Sequence, residues 1–247
     1  MTNWIAKLSK STKSKSKKSA SMNTDAASSS KTDQSQTQSN QKPSKPVSSS
    51  KMASKLTVYD QLFVNYANDP SDNLPDRIGP NGVLRLLQDV HAEPTDCSVL
   101  IFAWKCKAQT QCEFSNEEWT NGLKAINCDS LDKLQKWFKN ARNCIQKPAD
   151  FDEFYVFSFA YAKSLAQRGL SLEVAVAYWR IIYGDNRRVD HWIKWVEQKG
   201  TGITKDEWTS FGAFIQKIKP DFSNYDDTGS WPLRIDDYVE FCKEEKV

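Results

Sequence analysis

Apolar residues recur along most of this 247-residue chain at the three- and four-residue spacing that is typical of amphipathic helices. The first helical segment covers residues 56–67, and the second covers residues 82–90. The apolar face of the first segment comprises Leu56, Tyr59, Leu62, Phe63 and Tyr66. A polar stretch with two prolines, residues 69–76, separates the two segments. The pattern therefore predicts a helix–loop–helix pair.

Further helices are predicted in the middle of the chain. Residues 96–105 are apolar on nearly every side, which predicts a buried helix. Ser115 and Glu118 have the spacing of a capping box, so a helix is expected to begin after Ser115. Two more helices are expected at residues 130–143 and at residues 150–165. The second of these is aromatic on most sides, so neighbouring elements must cover it.

Cap residues divide the last third of the chain. Ser171 is expected to cap a helix over residues 172–183, and a helix over residues 189–199 is expected to close at Gly200. Thr204 begins a second capping box, which predicts another helix. A short final helix is predicted whose apolar residues are Ile235, Tyr238, Val239 and Phe241.

No long alternating pattern of the kind that predicts strands interrupts this series of helices. The expected fold class is therefore all-α, with one compact helical domain over residues 55–247. The Asp-rich loop of the first helix pair suggests an EF-hand. However, no register from Asp69 supplies the acidic ligands, central Gly and closing Glu that calcium requires. We therefore predict EF-hand-like helix pairs without calcium.

The first 54 residues differ in composition from the rest of the chain. Residues 1–56 hold eleven Lys against two Asp, a net charge of +9 that leaves −6 for the remainder of a chain whose formal charge is +3. Residues 1–54 contain almost nothing to bury, so we predict a disordered basic tail. Its Lys cluster at residues 7–18 is compatible with nuclear import or with a purely solubilising role. The cluster has no interleaved aromatic residues, so no nucleic-acid partner is expected.

The sequence lacks the motifs of several other classes of protein. No run approaches the roughly 20 apolar residues of a membrane helix, and the N-terminus lacks the apolar core of a signal peptide, so a soluble intracellular chain is expected. Its expected location is the nucleus and cytoplasm. The six cysteines include no C-x-x-C pair, and His91 and His191 have no third ligand at a metal spacing. No nucleophile–base set and no glycine-rich phosphate loop are recognisable. We predict a non-enzyme that needs no cofactor and no metal.

The segment at residues 221–247 is the most distinctive of the chain. Its eight acidic residues outnumber three basic ones, which gives a local net charge of −5 and a surface suited to a basic partner. Alternatively, it is a solvated C-terminal helix whose Trp231 closes the core. The sequence of residues 223–241 is SNYDDTGSWPLRIDDYVEF. It resembles the C-terminal signature of the defective-in-cullin-neddylation family, whose domain is called potentiating neddylation.

The resemblance continues upstream in the same order. It includes SVLIFAWKCKAQTQCEFSNEEW at residues 98–119, CDSLDKL at residues 128–134 and GLSLEVAVAYW at residues 169–179. The resemblance implies a non-catalytic co-ligase that holds a cullin and the N-acetylated conjugating enzyme of neddylation, with a cullin-bound RING protein as a further partner. A nuclear helical adaptor that binds another amphipathic peptide is the alternative.

The resemblance also implies two binding sites. A hydrophobic pocket accepts the acetylated N-terminal Met of the conjugating enzyme. Its implied lining is Pro80, Val83, Val99, Phe102, Ala103, Ala108, Cys112, Phe114, Tyr161, Tyr178 and Ile181. Pro80 and Phe102 stand where relatives carry aliphatic residues.

An acidic face binds the basic winged-helix domain at the cullin C-terminus, and it carries over to Asp206, Ser230 and Asp236. Ser230 replaces an Ala of relatives. Asp206 also has a structural explanation, since an acid in the first turn favours the helix dipole. Asp236 is expected to serve both the N-terminus of the last helix and the partner.

Overall fold

The computed structural model describes residues 56–163 and 166–245, and it confirms the all-α prediction. The α-helices are α1 (Val58–Tyr66), α2 (Pro80–Asp89), α3 (Cys97–Lys105), α4 (Asn116–Ala125), α5 (Leu131–Asn140), α6 (Pro148–Ala162), α7 (Leu172–Tyr183), α8 (Arg187–Lys199), α9 (Lys205–Lys217) and α10 (Leu233–Glu245). A short 3-10 helix, Ala141–Ile145, links α5 to α6. Among the described helices, none is long and apolar enough to cross a membrane. The predicted basic tail lies outside the described residues.

The first four helices form two helix–loop–strand–helix units. Strand β1 (Arg77–Ile78) pairs antiparallel with strand β2 (Phe114–Ser115), with Arg77 opposite Ser115 and Ile78 opposite Phe114. The sequence pattern predicted no strand, because two residues are too few to show alternation. A short antiparallel strand pair between two helix–loop–helix units is also a feature of paired EF-hands. Membership of the EF-hand-like class stays a prediction.

Hydrogen bonds and ion pairs from side chains of the chain stabilise the two loops of these units. In the first loop, the Asp72 carboxylate accepts hydrogen bonds from the backbone N–H of Asn81 at 3.0 Å and of Gly82 at 3.3 Å. It therefore satisfies the N-terminus of α2, whose own N-cap residue, Gly79, has no side chain. In the part of the chain that is described, no cluster of three or more His, Cys, Asp or Glu residues is arranged to hold a metal ion.

In the second loop, the Arg77 guanidinium reaches across from β1. Its Nε lies 3.3 Å from a carboxylate oxygen of Glu113, and a terminal nitrogen lies 3.6 Å from a carboxylate oxygen of Glu118. Glu118 also accepts a hydrogen bond from the backbone N–H of Ser115 at 2.7 Å. One guanidinium therefore neutralises two carboxylates of the neighbouring unit.

Side-chain caps begin five of the described helices, α1, α4, α5, α8 and α9. The predicted boxes Ser115–Glu118 and Thr204–Glu207 are confirmed, and Gly200 ends α8 in the left-handed conformation with φ 71°. A third box at Thr57 escaped prediction, because its closing acid is Asp60 rather than Glu or Gln.

Two cap predictions require correction. Ser171 occupies the N-cap position of α7 but makes no capping hydrogen bond through its side chain. Helix α8 begins two residues earlier than predicted, because the Asn186 side chain accepts hydrogen bonds from the N–H groups of Arg188 and Val189.

Helix α6 joins the two ends of the core. Its Phe154 ring lies 5.8 Å from the Trp104 ring of α3, while its Tyr155 ring stacks on Trp208 of α9 at 4.7 Å. Gly212 allows α9 to pack so closely, because a Cβ atom there would lie 2.4 Å from the Tyr155 ring. The aromatic pattern of α6 is therefore covered on both sides, as the sequence required.

Candidate functional site

An apolar pocket lies between α2, α3, the loop that precedes β2, and the end of α6. Seven of the eleven residues implied by the family resemblance line it: Val83, Val99, Phe102, Ala103, Cys112, Phe114 and Tyr161. Leu86, Leu87, Leu100 and Gln111 complete the lining. The cavity measures about 20 Å³, which is room for about one water molecule.

The other four implied residues lie outside the lining. Pro80 is half-buried at the first position of α2, and Ala108 is buried in the loop after α3. Tyr178 is fully buried in α7, and its hydroxyl has no hydrogen-bond partner among the described residues. Ile181 is half-buried one turn further along α7. The structure therefore does not place these four side chains against the empty space of the pocket.

Phe102 limits the size of the pocket. Its ring lies 5.4 Å from that of Phe114, 5.8 Å from both Trp119 and Trp137, and 5.2 Å from Phe138. Because these rings hold it from several sides and it is only 2% exposed, it cannot swing aside without disturbing the core. Val99, by contrast, is half-buried, so the pocket is nearest to solvent on its side.

Gln111 supplies the amide group of the pocket. Its Nε2 donates a hydrogen bond of 2.7 Å to the backbone carbonyl of Tyr161, and its side-chain carbonyl accepts no hydrogen bond from the described residues. The backbone N–H of Cys112 donates to the Tyr161 hydroxyl at 3.2 Å. Burial raises the pKa values of both the Cys112 thiol and the Tyr161 hydroxyl, so both groups are neutral at pH 7. The pocket is therefore uncharged.

The three residues of the implied acidic face lie at the opposite end of the chain. Asp206 is exposed at the second position of α9, and Ser230 is exposed just before α10. Asp236 is half-buried in the first turn of α10. Since Ser230 is exposed, its hydroxyl reaches water and is not a buried polar group without a partner.

Asp236 lies in the first turn of α10, where a carboxylate favours the helix dipole, and its side chain also has a partner outside the helix. Its carboxylate accepts a short hydrogen bond from the hydroxyl of Tyr225, a residue of the preceding turn. Burial and the Asp236 carboxylate together raise the pKa of Tyr225. The Tyr225 ring stacks on Trp231 at 5.8 Å, and Trp231 in turn meets the Phe214 ring edge-on at 6.1 Å. An aromatic stack therefore fixes the direction of this carboxylate.

More acidic residues surround Asp236. Asp226, Asp227, Asp237 and Glu240 are all exposed. Hydrogen bonds from the side chain and backbone N–H of Thr228 lower the pKa of Asp226, which keeps that carboxyl ionised. The surface formed by these residues with Asp206, Ser230 and Asp236, here called the acidic surface, therefore favours a basic partner.

Comparison with known proteins bears on both surfaces. Residues 132–241 match a sequence family described as "Cullin binding". The chain is 38% identical over 209 residues to "Defective in cullin neddylation protein 1" of Caenorhabditis elegans, which covers 75% of this chain and 70% of that protein. The chain belongs to the defective-in-cullin-neddylation family.

Other members of the family are more distant. "DCN1-like protein 3" of Homo sapiens is 32% identical over 205 residues, and that of Xenopus tropicalis is 32% identical over 194 residues. The alignments cover 80% and 76% of this chain, but only 66% and 63% of those proteins. The segment matched as cullin-binding contains the whole acidic surface, whereas most of the pocket precedes it.

Proposed function

We propose that this protein promotes cullin neddylation as a non-catalytic scaffold that holds a cullin and the neddylation conjugating enzyme together. The observation that carries this proposal is the presence of an uncharged pocket and an acidic surface on one helical domain of the defective-in-cullin-neddylation family. The membership supports the role in cullin neddylation, and the geometry supports the assignment of each surface to a partner.

The pocket suits an acetylated N-terminus better than a free one. Burying a free ammonium among apolar side chains costs far more than burying an amide that finds a hydrogen bond. The Gln111 side-chain carbonyl can accept from the amide N–H of an acetylated residue, and the apolar walls can take a methionine side chain. Since the cavity holds about one water molecule, the wall at Val99 must move outward when the peptide enters.

The acidic surface suits the basic winged-helix domain at the cullin C-terminus. Its carboxylates would steer such a domain by long-range attraction, and Asp206 and Asp236 would pair with individual basic side chains. A RING protein bound to the same cullin would contact the conjugating enzyme from its other side. The protein would act in both nucleus and cytoplasm, wherever cullins occur.

A scaffold of this kind accelerates transfer by orientation. Two partners held on one rigid body meet at a high effective concentration and in a restricted set of orientations, so the protein needs no covalent chemistry of its own. The neutral Cys112 thiol and the uncharged pocket agree with a binding role for the site.

A reconstituted neddylation reaction tests the proposal. Adding the protein should increase the rate of modifier transfer to the cullin, and removing the acetyl group of the conjugating enzyme should abolish most of that increase. No rate increase, with a folded protein that binds neither partner, would overturn the proposal. Binding of an unrelated amphipathic peptide in place of the acetylated one would favour the nuclear-adaptor alternative.

A further inference from the structure

An ion pair ties the start of α10 to the start of α9. The Nε of Arg234 lies 2.6 Å from a carboxylate oxygen of Glu207, and the two side chains are only 16% and 15% exposed. Arg234 also donates to the Thr201 hydroxyl at 2.7 Å and to the Gly202 carbonyl at 3.3 Å. One guanidinium therefore connects α10, the N-terminus of α9 and the loop before it.

The partners of this ion pair stand beside the two assigned carboxylates of the acidic surface. Glu207 follows Asp206 directly and closes the Thr204 capping box by accepting from the Thr204 N–H at 2.8 Å. Arg234 precedes Asp236 by two residues in the first turn of α10. A change in the distance between Glu207 and Arg234 therefore shifts Asp206 relative to Asp236.

We propose that the Arg234–Glu207 ion pair is a positioning element, which sets the separation of Asp206 and Asp236 so that one basic domain engages both carboxylates. This inference rests on the proposed function, since it assumes that the acidic surface binds the cullin. Arg234 and Glu207 do not themselves touch the partner in this role, because they are largely buried against each other. The Tyr225 hydroxyl then directs the Asp236 carboxylate within the spacing that the ion pair establishes.

Simple attraction between net charges makes a different prediction. If only the total charge of the acidic surface mattered, Arg234→Met would strengthen cullin binding, because it removes a positive charge near a basic partner. Glu207→Gln would weaken binding for the same reason. A positioning role requires that both substitutions weaken binding. Gln at this position still forms a capping box, so the second variant keeps the α9 N-terminus satisfied.

Isothermal calorimetry with a cullin C-terminal winged-helix fragment distinguishes these cases. We expect Arg234→Met and Glu207→Gln each to bind about tenfold more weakly than the wild type, which corresponds to about 1.4 kcal/mol. Arg180→Met is the matched control, because Arg180 pairs with Glu197 at 4.0 Å on an exposed surface of α7 and α8. This control should bind within about twofold of the wild type.

A double-mutant cycle separates positioning from general destabilisation. If Arg234 acts by placing Asp206, the effect of Asp206→Asn should shrink in the Arg234→Met background, whereas independent effects would add. Binding of the acetylated peptide serves as the folding control, because no residue that lines the pocket belongs to α9 or α10. Should Arg234→Met not fold, Arg234→Lys carries the same test, because net charge alone predicts wild-type affinity for this variant whereas a positioning role predicts weaker binding.

The outcomes also separate this inference from the proposed function. If the wild type itself does not bind the cullin fragment, the proposed function fails. If the wild type binds and the folded Arg234→Met variant binds equally well or more tightly, the positioning role is refuted while the cullin-binding role stands. Fully additive effects of Arg234→Met and Asp206→Asn would also refute it.

Discussion

Replacing Asp236 with Asn separates the two contributions of this carboxylate. The amide oxygen of Asn can still accept the hydrogen bond from the Tyr225 hydroxyl, but the negative charge is lost. A hydrogen bond to a charged acceptor contributes about 1.5–3 kcal/mol and one to a neutral acceptor about 0.5–1.5 kcal/mol. We therefore expect a loss of about 1 kcal/mol in the free energy of unfolding, which lowers the melting temperature by about 2–4 °C.

The effect of the same substitution on cullin binding should be larger. Loss of one partner from a buried, hydrogen-bonded charge pair costs about 2–5 kcal/mol. Because Asp236 is half-buried rather than fully buried, the lower end of this range applies. We expect affinity for the cullin fragment to fall about 30-fold, since each 1.4 kcal/mol corresponds to about a factor of ten.

Calorimetry and circular-dichroism melts of Asp236→Asn provide the measurement. The matched control is Asp237→Asn, which removes the same charge from an exposed neighbour and should cost less than about 1 kcal/mol of binding. Raising the salt concentration should weaken binding of the wild type more than binding of Asp236→Asn. Equal affinity of the wild type and Asp236→Asn for the cullin fragment would refute the assignment of this carboxylate.

Three further outcomes are expected. Val99→Arg should abolish binding of the acetylated peptide, because Val99 forms the half-buried wall of the pocket. The circular-dichroism melt of this variant should stay close to that of the wild type. Retained binding by the folded variant would rule out the pocket assignment. Deletion of residues 1–54 should leave in vitro neddylation unchanged but reduce nuclear accumulation, and loss of folding would show that the predicted domain boundary is wrong. Brief treatment with a maleimide should modify the half-buried Cys144 before the five buried cysteines. Burial suppresses thiolate formation, and it raises the pKa of Cys97 to about 11. Mass spectrometry of the native protein after treatment tests this order.

The elements that the sequence predicted well are those specified by neighbouring residues. The Ser115 and Thr204 capping boxes and the αL conformation of Gly200 depend on contacts within one turn, so residue spacing suffices to predict them. The β1–β2 pair and the Asp72 cap of α2 depend on residues that are far apart in sequence. Nothing in the local pattern indicates that a loop carboxylate will satisfy a helix whose N-cap residue is Gly79.

In the candidate site, too, contacts between residues that are far apart in sequence could not be predicted from local patterns. Val83 and Phe102 were assigned to the pocket through the family resemblance, since their apolar pattern alone indicates only core. Gln111 was missed because a polar residue in a loop resembles any exposed residue until the fold brings it against Tyr161. The pairing of Arg234 with Glu207 could not be predicted either, because it follows from the packing of α10 against α9.

The Arg77 guanidinium that bridges the two N-terminal units has a consequence for control of the protein. A calcium ion at such a place would dissociate and return with the cellular calcium concentration, and helix pairs of calcium sensors change shape when it does. The Arg77 guanidinium, by contrast, is covalently part of the chain, so its effective concentration at this place does not change with the cellular calcium concentration. By pairing with Glu113 and Glu118, Arg77 therefore holds the wall of the pocket beside β2 without a dissociable ion.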